Sequence, residues 1–240
     1  MLNRAGSNRA GSNSAGSNKT RPTPERSKST VPADKKQGML FIIAAPSGGG
    51  KTSLVSALLA GDARLSLSVS HTTRNPRPGE TNGKQYHFVD RQEFLRLVRQ
   101  QAFLEHAKVF GHHYGTHAGA LDSQLASGRD VILEIDWQGA AQVRRSFPGC
   151  SSVFILPPSL EILRRRLSQR ALDSAEVIDH RMHDAQSELS HWAEFDYLVI
   201  NDDFDTALAQ LRAIIRCTRL NRVHPQNQDA QMLAQLLVNG

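Results

Sequence analysis

Residues 39–52 read MLFIIAAPSGGGKT, and no other stretch of the chain narrows its fold as far. Met39-Leu40-Phe41-Ile42-Ile43-Ala44 is an unbroken apolar run, as in a strand buried on both faces. Residues 52–60, beyond the glycines, have helical periodicity. A strand that turns through Ala45-Pro46-Ser47-Gly48-Gly49-Gly50-Lys51-Thr52 into a helix is the setting a phosphate-binding loop needs. Glycines let backbone N–H groups converge on phosphate oxygens, and the helix N-terminus adds partial positive charge. Lys51 is expected to reach the β- and γ-phosphates of a nucleoside triphosphate and Thr52 to hold Mg²⁺. The pattern G-x-x-x-x-G-K-[ST] has Ala45 at its first position here. Such a loop implies the donor and leaves the acceptor open.

Downstream, apolar runs alternate with helical patterns. Strands are expected over 68–70, 131–135, 153–156 and 197–200, the last of them in the core. Helices are expected over 118–127, stopped by Gly128, and over 138–147, 160–170, 174–192 and 206–223. This alternation implies an α/β fold of the P-loop NTPase kind, with a parallel sheet flanked by helices. The block at about 71–116 breaks the rhythm. It is rich in turns and polar residues and reads as an inserted β-rich subdomain. Asp90 and Glu93 form a capping box for a helix inside it.

The formal charge of +6 suggests a nucleic-acid partner until it is apportioned. Residues 1–38 carry eight Lys/Arg and two Asp/Glu, which leaves 21 of each sign in 39–240. The basicity belongs to a tail built on RAGSN repeats, too short and too poor in apolar residues to bury a core, and expected to be disordered. No nucleic-acid partner is expected for the folded domain. The two cysteines, Cys150 and Cys217, are far apart in sequence, which excludes a disulfide framework or a CxxC zinc site. No apolar run is long enough to span a membrane. A cytoplasmic protein is expected, with domain boundaries at 39 and 225 and a helical extension over 226–240.

The stretch Ser68-Val69-Ser70-His71-Thr72-Thr73-Arg74-Asn75-Pro76-Arg77-Pro78-Gly79-Glu80, followed by Asn82-Gly83-Lys84-Gln85-Tyr86-His87-Phe88, holds two arginines three apart beside two prolines. A stiff loop with forked guanidinium donors suits clamping a phosphate. This stretch resembles the nucleotide-acceptor segment of guanylate kinases. The likeness continues in order through Phe103-Leu104-Glu105-His106-Ala107, Tyr114-Gly115-Thr116, Ile132-Leu133-Glu134-Ile135-Asp136-Trp137-Gln138-Gly139, the Arg166, Arg170 and Arg181 spacing, and Asn201-Asp202-Asp203. It covers about 39–225.

The resemblance implies an Mg²⁺-dependent kinase that moves the γ-phosphoryl group of ATP to GMP, with dGMP also accepted. It implies that Arg74, Arg77, Tyr86 and Tyr114 grip the GMP phosphate, and that Ser70, Glu105 and Thr116 read guanine. Asp136 would lie near Mg²⁺ and the acceptor, although an aspartate there also suits a helix cap. Arg166, Arg170 and Arg181 would serve the transferring phosphate from a helical lid over about 164–182, and Asn201 would lie near the donor adenine. Tyr86 and Tyr114 also fit as core aromatics, and Arg164, Arg165, Arg166 and Arg170 as a solvated helix face, the preferred reading for Arg164 and Arg165. Where the family has Arg-Gly in the lid, this chain has Arg170-Ala171. A sugar-phosphate kinase would not need Ser70, Glu105 and Thr116 together. A scaffold-type binding module would have lost the Gly50-Lys51-Thr52 loop. A homo-oligomer stays open.

Overall fold

The computed structural model describes residues 37–169 and 175–221. Most of the expected tail, Arg170 and the extension over 226–240 lie outside the described residues.

The apolar run forms β1 (Leu40–Ala44), with every residue buried. It is the centre of a five-stranded sheet with β2 (Leu65–Leu67), β7 (Asp130–Glu134), β8 (Ser151–Leu156) and β9 (Tyr197–Ile200), in the order β2-β7-β1-β8-β9. All four pairings are parallel. Strand alternation sends Phe41 and Ile43 to one face, where they meet Leu54 and Leu58 of α1 (Lys51–Gly61) and Leu211 of α7 (Phe204–Leu220). Leu40, Ile42 and Ala44 face Leu121 of α3 (Ala118–Ala126) and Val143 of α4 (Trp137–Ser146) on the other side. Covering both faces is why the run is continuous rather than alternating.

The inserted block is a second sheet. It contains β3 (His71–Thr72), β4 (His87–Phe88), β5 (Phe103–Val109) and β6 (His112–His117), in the order β4-β3-β6-β5. Helix α2 (Arg91–Arg99) closes over it, with Phe94 stacked on Phe103 at 4.7 Å. The Asp90 carboxylate accepts from the Glu93 N–H, as the capping box requires. Two further helices, α5 (Leu160–Gln169) and α6 (Ala175–Leu189), pack on each other through Leu163, Leu167 and Ala185.

Three expectations need correction. The strand expected at 68–70 lies at Leu65–Leu67. Residues 65–70 alternate throughout as LSLSVS, so the pattern does not say where the chain leaves the sheet. Ser68 gives its N–H to the Ile132 carbonyl, and by Ser70 the backbone serves the insert instead. Helix α6 ends at Leu189, and a 3₁₀ turn follows over Trp192–Glu194. Strand β9 is the sheet edge, where only Val199 is buried and Leu198 and Ile200 are exposed.

Strands β5 and β6 join through Phe110-Gly111, both with positive φ (48° and 82°). A two-residue hairpin of this hand favours Asn-Gly, because a side-chained residue in the left-handed region costs about 1–2 kcal/mol unless it is Asn or Asp. Phe110 is half exposed, so little packing offsets the strain. Phe110→Asn is therefore expected to raise Tm by roughly 2–4 °C, read by thermal melting. An unchanged or lower Tm would show that the ring contributes packing equal to the strain.

Candidate active site

The phosphate loop leaves the C-terminal end of β1, the strand on whose two sides the sheet order diverges. Open α/β sheets bind ligands at such switch points. Gly48 and Gly50 have φ of 85° and 88°, which the triple glycine allows. The Lys51 Nζ donates to the Ile135 carbonyl at 3.2 Å. Thr52 Oγ1 donates to Glu134 Oε1 at 2.6 Å. Glu134 ends β7 beside β1 and was given no role from sequence. A carboxylate at the carboxyl end of a buried strand was the available signal.

Asp136 lies just past β7. Its Oδ1 accepts the Gly139 N–H at 2.9 Å and caps α4, the second of the two roles its position suggested. Oxygen donors that could hold a divalent cation here are the Thr52 hydroxyl and the Glu134 carboxylate, with Asp136 nearby in the chain. Hard oxygen donors in this small number suit an ion that keeps several waters and substrate phosphates in its shell. No group of three or more His, Cys, Asp or Glu side chains suited to a metal occurs among the described residues.

Asn201 follows β9 and is buried. Its Nδ2 donates to the Gly49 carbonyl at 2.9 Å, and a Cβ on Gly50 would stand 2.2 Å from that same nitrogen. The backbone carbonyl of Asn201 accepts from Arg166 Nη2 at 2.9 Å. Arg166 Nη1 is buried with no hydrogen-bond partner among the described residues. Asn201 thus braces the phosphate loop and steadies Arg166 together.

In the insert, Glu105 is 2% exposed. Thr116, its register partner across β5 and β6, gives its hydroxyl to Glu105 Oε1 at 2.6 Å. Burial pushes the Glu105 carboxyl up to about 7, the Thr116 hydrogen bond opposes this, and the Asp136 carboxylate adds to it. Gly139 makes room for the carboxylate, since a Cβ there would lie 2.5 Å from Glu105 Oε2. Ser70 and Thr116 are also buried.

Arg74 makes a two-pronged pair with Glu80, both N–O distances being 2.9 Å. Glu80 also accepts the Arg77 N–H at 2.7 Å. The Arg74 guanidinium lies 5.4 Å from the Tyr86 ring centre, and Tyr86 meets Tyr114 edge to face. Burial holds the Tyr86 phenol up at about 12, so it stays a hydrogen-bond donor.

A cleft of about 780 Å³ opens between the β5–β6 turn, the start of α4 and one face of α6. Asp136, Arg181, Asp184 and Glu188 line it. Arg181 is thereby brought to the same cleft as Asp136, while Arg170 lies outside the described residues. Besides Glu134, sequence reasoning gave no role to Glu80, Gly139 or Glu188. For Glu188 no local signal existed.

A lysine-threonine phosphate loop rising from the middle strand of an all-parallel sheet makes this the P-loop NTPase fold. Among such proteins, the family described as guanylate kinase matches residues 37–218. A guanylate kinase of Alkalilimnicola ehrlichii is 60% identical over 200 residues, spanning 83% of this chain and 97% of its own. One from Methylococcus capsulatus is 55% identical over 201 residues, spanning 84% and 98%. The crystal structure of guanylate kinase from Anaplasma phagocytophilum superposes with a TM-score of 0.68 at 34% identity, covering 85% of this chain and 96% of that one. The chain belongs to the guanylate kinase family. No helix among the described residues is long and apolar enough to cross a membrane.

Proposed function

We propose that the chain catalyses ATP + GMP ⇌ ADP + GDP in the cytoplasm, with dGMP as a second acceptor, through the residues assembled above. The core sheet holds ATP, the insert over about 71–116 holds GMP, and the lid over about 164–182 closes on both. One observation carries the acceptor: a carboxylate, Glu105, is buried in the insert and oriented by Thr116. Guanine offers two donors side by side, N1–H and the 2-amino group, and a carboxylate accepts from both.

The phosphoryl transfer asks the protein for positioning and charge compensation rather than covalent chemistry. The loop N–H groups and Lys51 hold the β- and γ-phosphates. Thr52 and Glu134, with Asp136, are the groups that fit Mg²⁺, which supplies charge compensation on the phosphate oxygens. Arg74 and Arg77, with the hydroxyls of Tyr86 and Tyr114, hold the GMP phosphate. Arg166, Arg170 and Arg181 attend the phosphoryl group in transit. The buried and unpartnered Arg166 Nη1 supports an anion contact there. Asn201 is assigned to the donor side, where its contacts with the loop support a bracing role.

A coupled ADP-release assay across GMP, dGMP, AMP, CMP, UMP and ribose phosphates tests this reading. GMP and dGMP are expected to be preferred over AMP by as much as ~10⁴-fold in kcat/KM. Equal use of AMP, or preference for a sugar phosphate, would overturn it. Gly139→Ala extends the test to the wall of the base site. The new methyl group displaces the Glu105 carboxylate, and kcat/KM for GMP is expected to fall by about 10-fold or more with ATP affinity unchanged. An equal loss of ATP affinity would mean that the loop, not the base reader, had moved.

A further inference from the structure

Glu188 is a partly buried acid to which the chemistry above gives no part. It sits in the last turn of α6 and lines the active-site cleft. Its Oε2 accepts the backbone N–H of Ser47, inside the phosphate loop, at 2.9 Å across 141 residues of sequence. Burial raises its carboxyl above the usual range, against the Ser47 hydrogen bond and the nearby Lys51 charge. A partly desolvated acid stands at this point, and its partner is the loop itself.

A second, apolar contact joins the same two parts. A Cβ on Gly48 would stand 3.0 Å from Leu163 Cδ1 and 3.1 Å from Leu167 Cδ2. Leu163 and Leu167 belong to α5, and with Ala185 of α6 they form the core of the α5–α6 pair. The loop backbone at 47–48 is therefore gripped by α6 through a carboxylate and by α5 through two leucines. Arg166 rides on α5. Arg181 precedes Glu188 by seven residues, two helical turns, so both project from one face of α6 and both line the cleft.

We propose that Glu188 is a positioning residue that pins the α5–α6 helix pair to the phosphate loop and thereby sets Arg181 over the transferring phosphate. The hydrogen bond acts as the fixed point of the helix. Distal turns of α6 can shift, while the distance from the loop to Arg181 stays set by two turns of rigid helix. The Ser47 N–H is correspondingly committed to Glu188.

The proposal rests on the kinase reading above, and its test has one arm that does not. Glu188→Gln keeps an acceptor oxygen at the same reach, and kcat is expected to stay within about threefold of the parent. Glu188→Ala removes the acceptor. It is expected to lower kcat by about 10-fold or more, with KM for GMP changed by less than about threefold, since a misplaced catalytic group costs rate rather than acceptor affinity. If the alanine variant does not fold, Glu188→Asp, one methylene short, carries the same expectation. Arg181→Ala in the parent and in the Glu188→Ala background completes a cycle. The arginine deletion should cost at least about fivefold less once the anchor is gone. Independent multiplication of the two losses, or a silent Glu188→Ala, would overturn the proposal. Amide hydrogen exchange over 47–50 without nucleotide should quicken in the alanine variant and not in the glutamine variant. Failure of the parent to phosphorylate GMP would sink the kinase reading, and the exchange result would still decide the anchor.

Discussion

Lys51→Ala is expected to lower kcat by about 10²-fold or more in a protein that melts at the parent temperature. The expectation comes from where Lys51 stands. It opens α1 straight after Gly50, and its ammonium reaches over to the Ile135 carbonyl at the end of β7. That bond to a single neutral carbonyl is readily exchanged for phosphate oxygens. As ATP and GMP react, charge develops on the oxygens of the moving phosphoryl group. A fixed ammonium is then worth far more than it would be in water. The fold asks little of the side chain, because α1 is anchored by Leu54, Val55 and Leu58, all buried. Steady-state kinetics with a thermal melt on the same preparation checks both halves. Near-parent kcat in a folded variant would remove the phosphate-loop assignment.

The second large effect concerns Glu105, and two measurements of opposite sign test it. Under the assignment proposed above, Glu105→Gln keeps the shape but turns an NH₂ toward guanine donors. Losing one charge-assisted hydrogen bond costs about 1.5–3 kcal/mol, roughly 10- to 150-fold in kcat/KM for GMP. With the carboxyl held at about 7 by burial, the acceptor form of the empty site fades as pH falls. Below that value kcat/KM for GMP should drop about tenfold per pH unit. The GMP phosphate titrates near pH 6 with parent and variant alike. The limb that disappears in Glu105→Gln is the one that belongs to this residue.

Stability should move the other way. A carboxyl whose folded pKa is raised stabilises the fold through its proton. That contribution is complete below the ordinary value of 4.5 and is lost as pH rises through about 7. At pH 8 the parent carries the unfavourable buried charge and the glutamine variant does not. The variant should be the more stable by on the order of 3 kcal/mol, with little difference at pH 4. A variant less stable than the parent at pH 8 would mean that the carboxylate is held by interactions beyond Thr116.

The phosphate loop was legible because its signal is local. Strand, triple glycine, Lys51-Thr52 and helix follow within twenty residues, and each serves the same backbone path. The insert was legible as a break in rhythm, and Glu105 only through a resemblance carried by several segments. What stayed hidden depends on contacts between distant parts of the chain. Glu188 occupies an ordinary helical position, and nothing within reach of its sequence neighbours says that Ser47 lies opposite. Gly139 reads as a helix residue until the Glu105 carboxylate is seen beside it. Strand β9 was read as core because YLVI is apolar, but an apolar composition does not say how many neighbours a strand has. Glu134 was the avoidable omission, since strand ends beside a phosphate loop are where carboxylates meet the loop hydroxyl.

Arg74 meets its phosphate, under the assignment proposed above, already holding an anion. Glu80 occupies both prongs of the guanidinium, so any incoming phosphate must first displace a tethered competitor. A tethered carboxylate acts at an effective concentration set by its short link to the arginine, on the order of millimolar or above. Inorganic phosphate or sulfate has only its charge to offer against that pair. A nucleotide brings a base for Glu105 as well, and the exchange at Arg74 becomes one part of a larger gain. Under that assignment, self-pairing would work as a filter. It holds the half-buried arginine in one orientation, and under that assignment it would disfavour ions that bring a charge and no base.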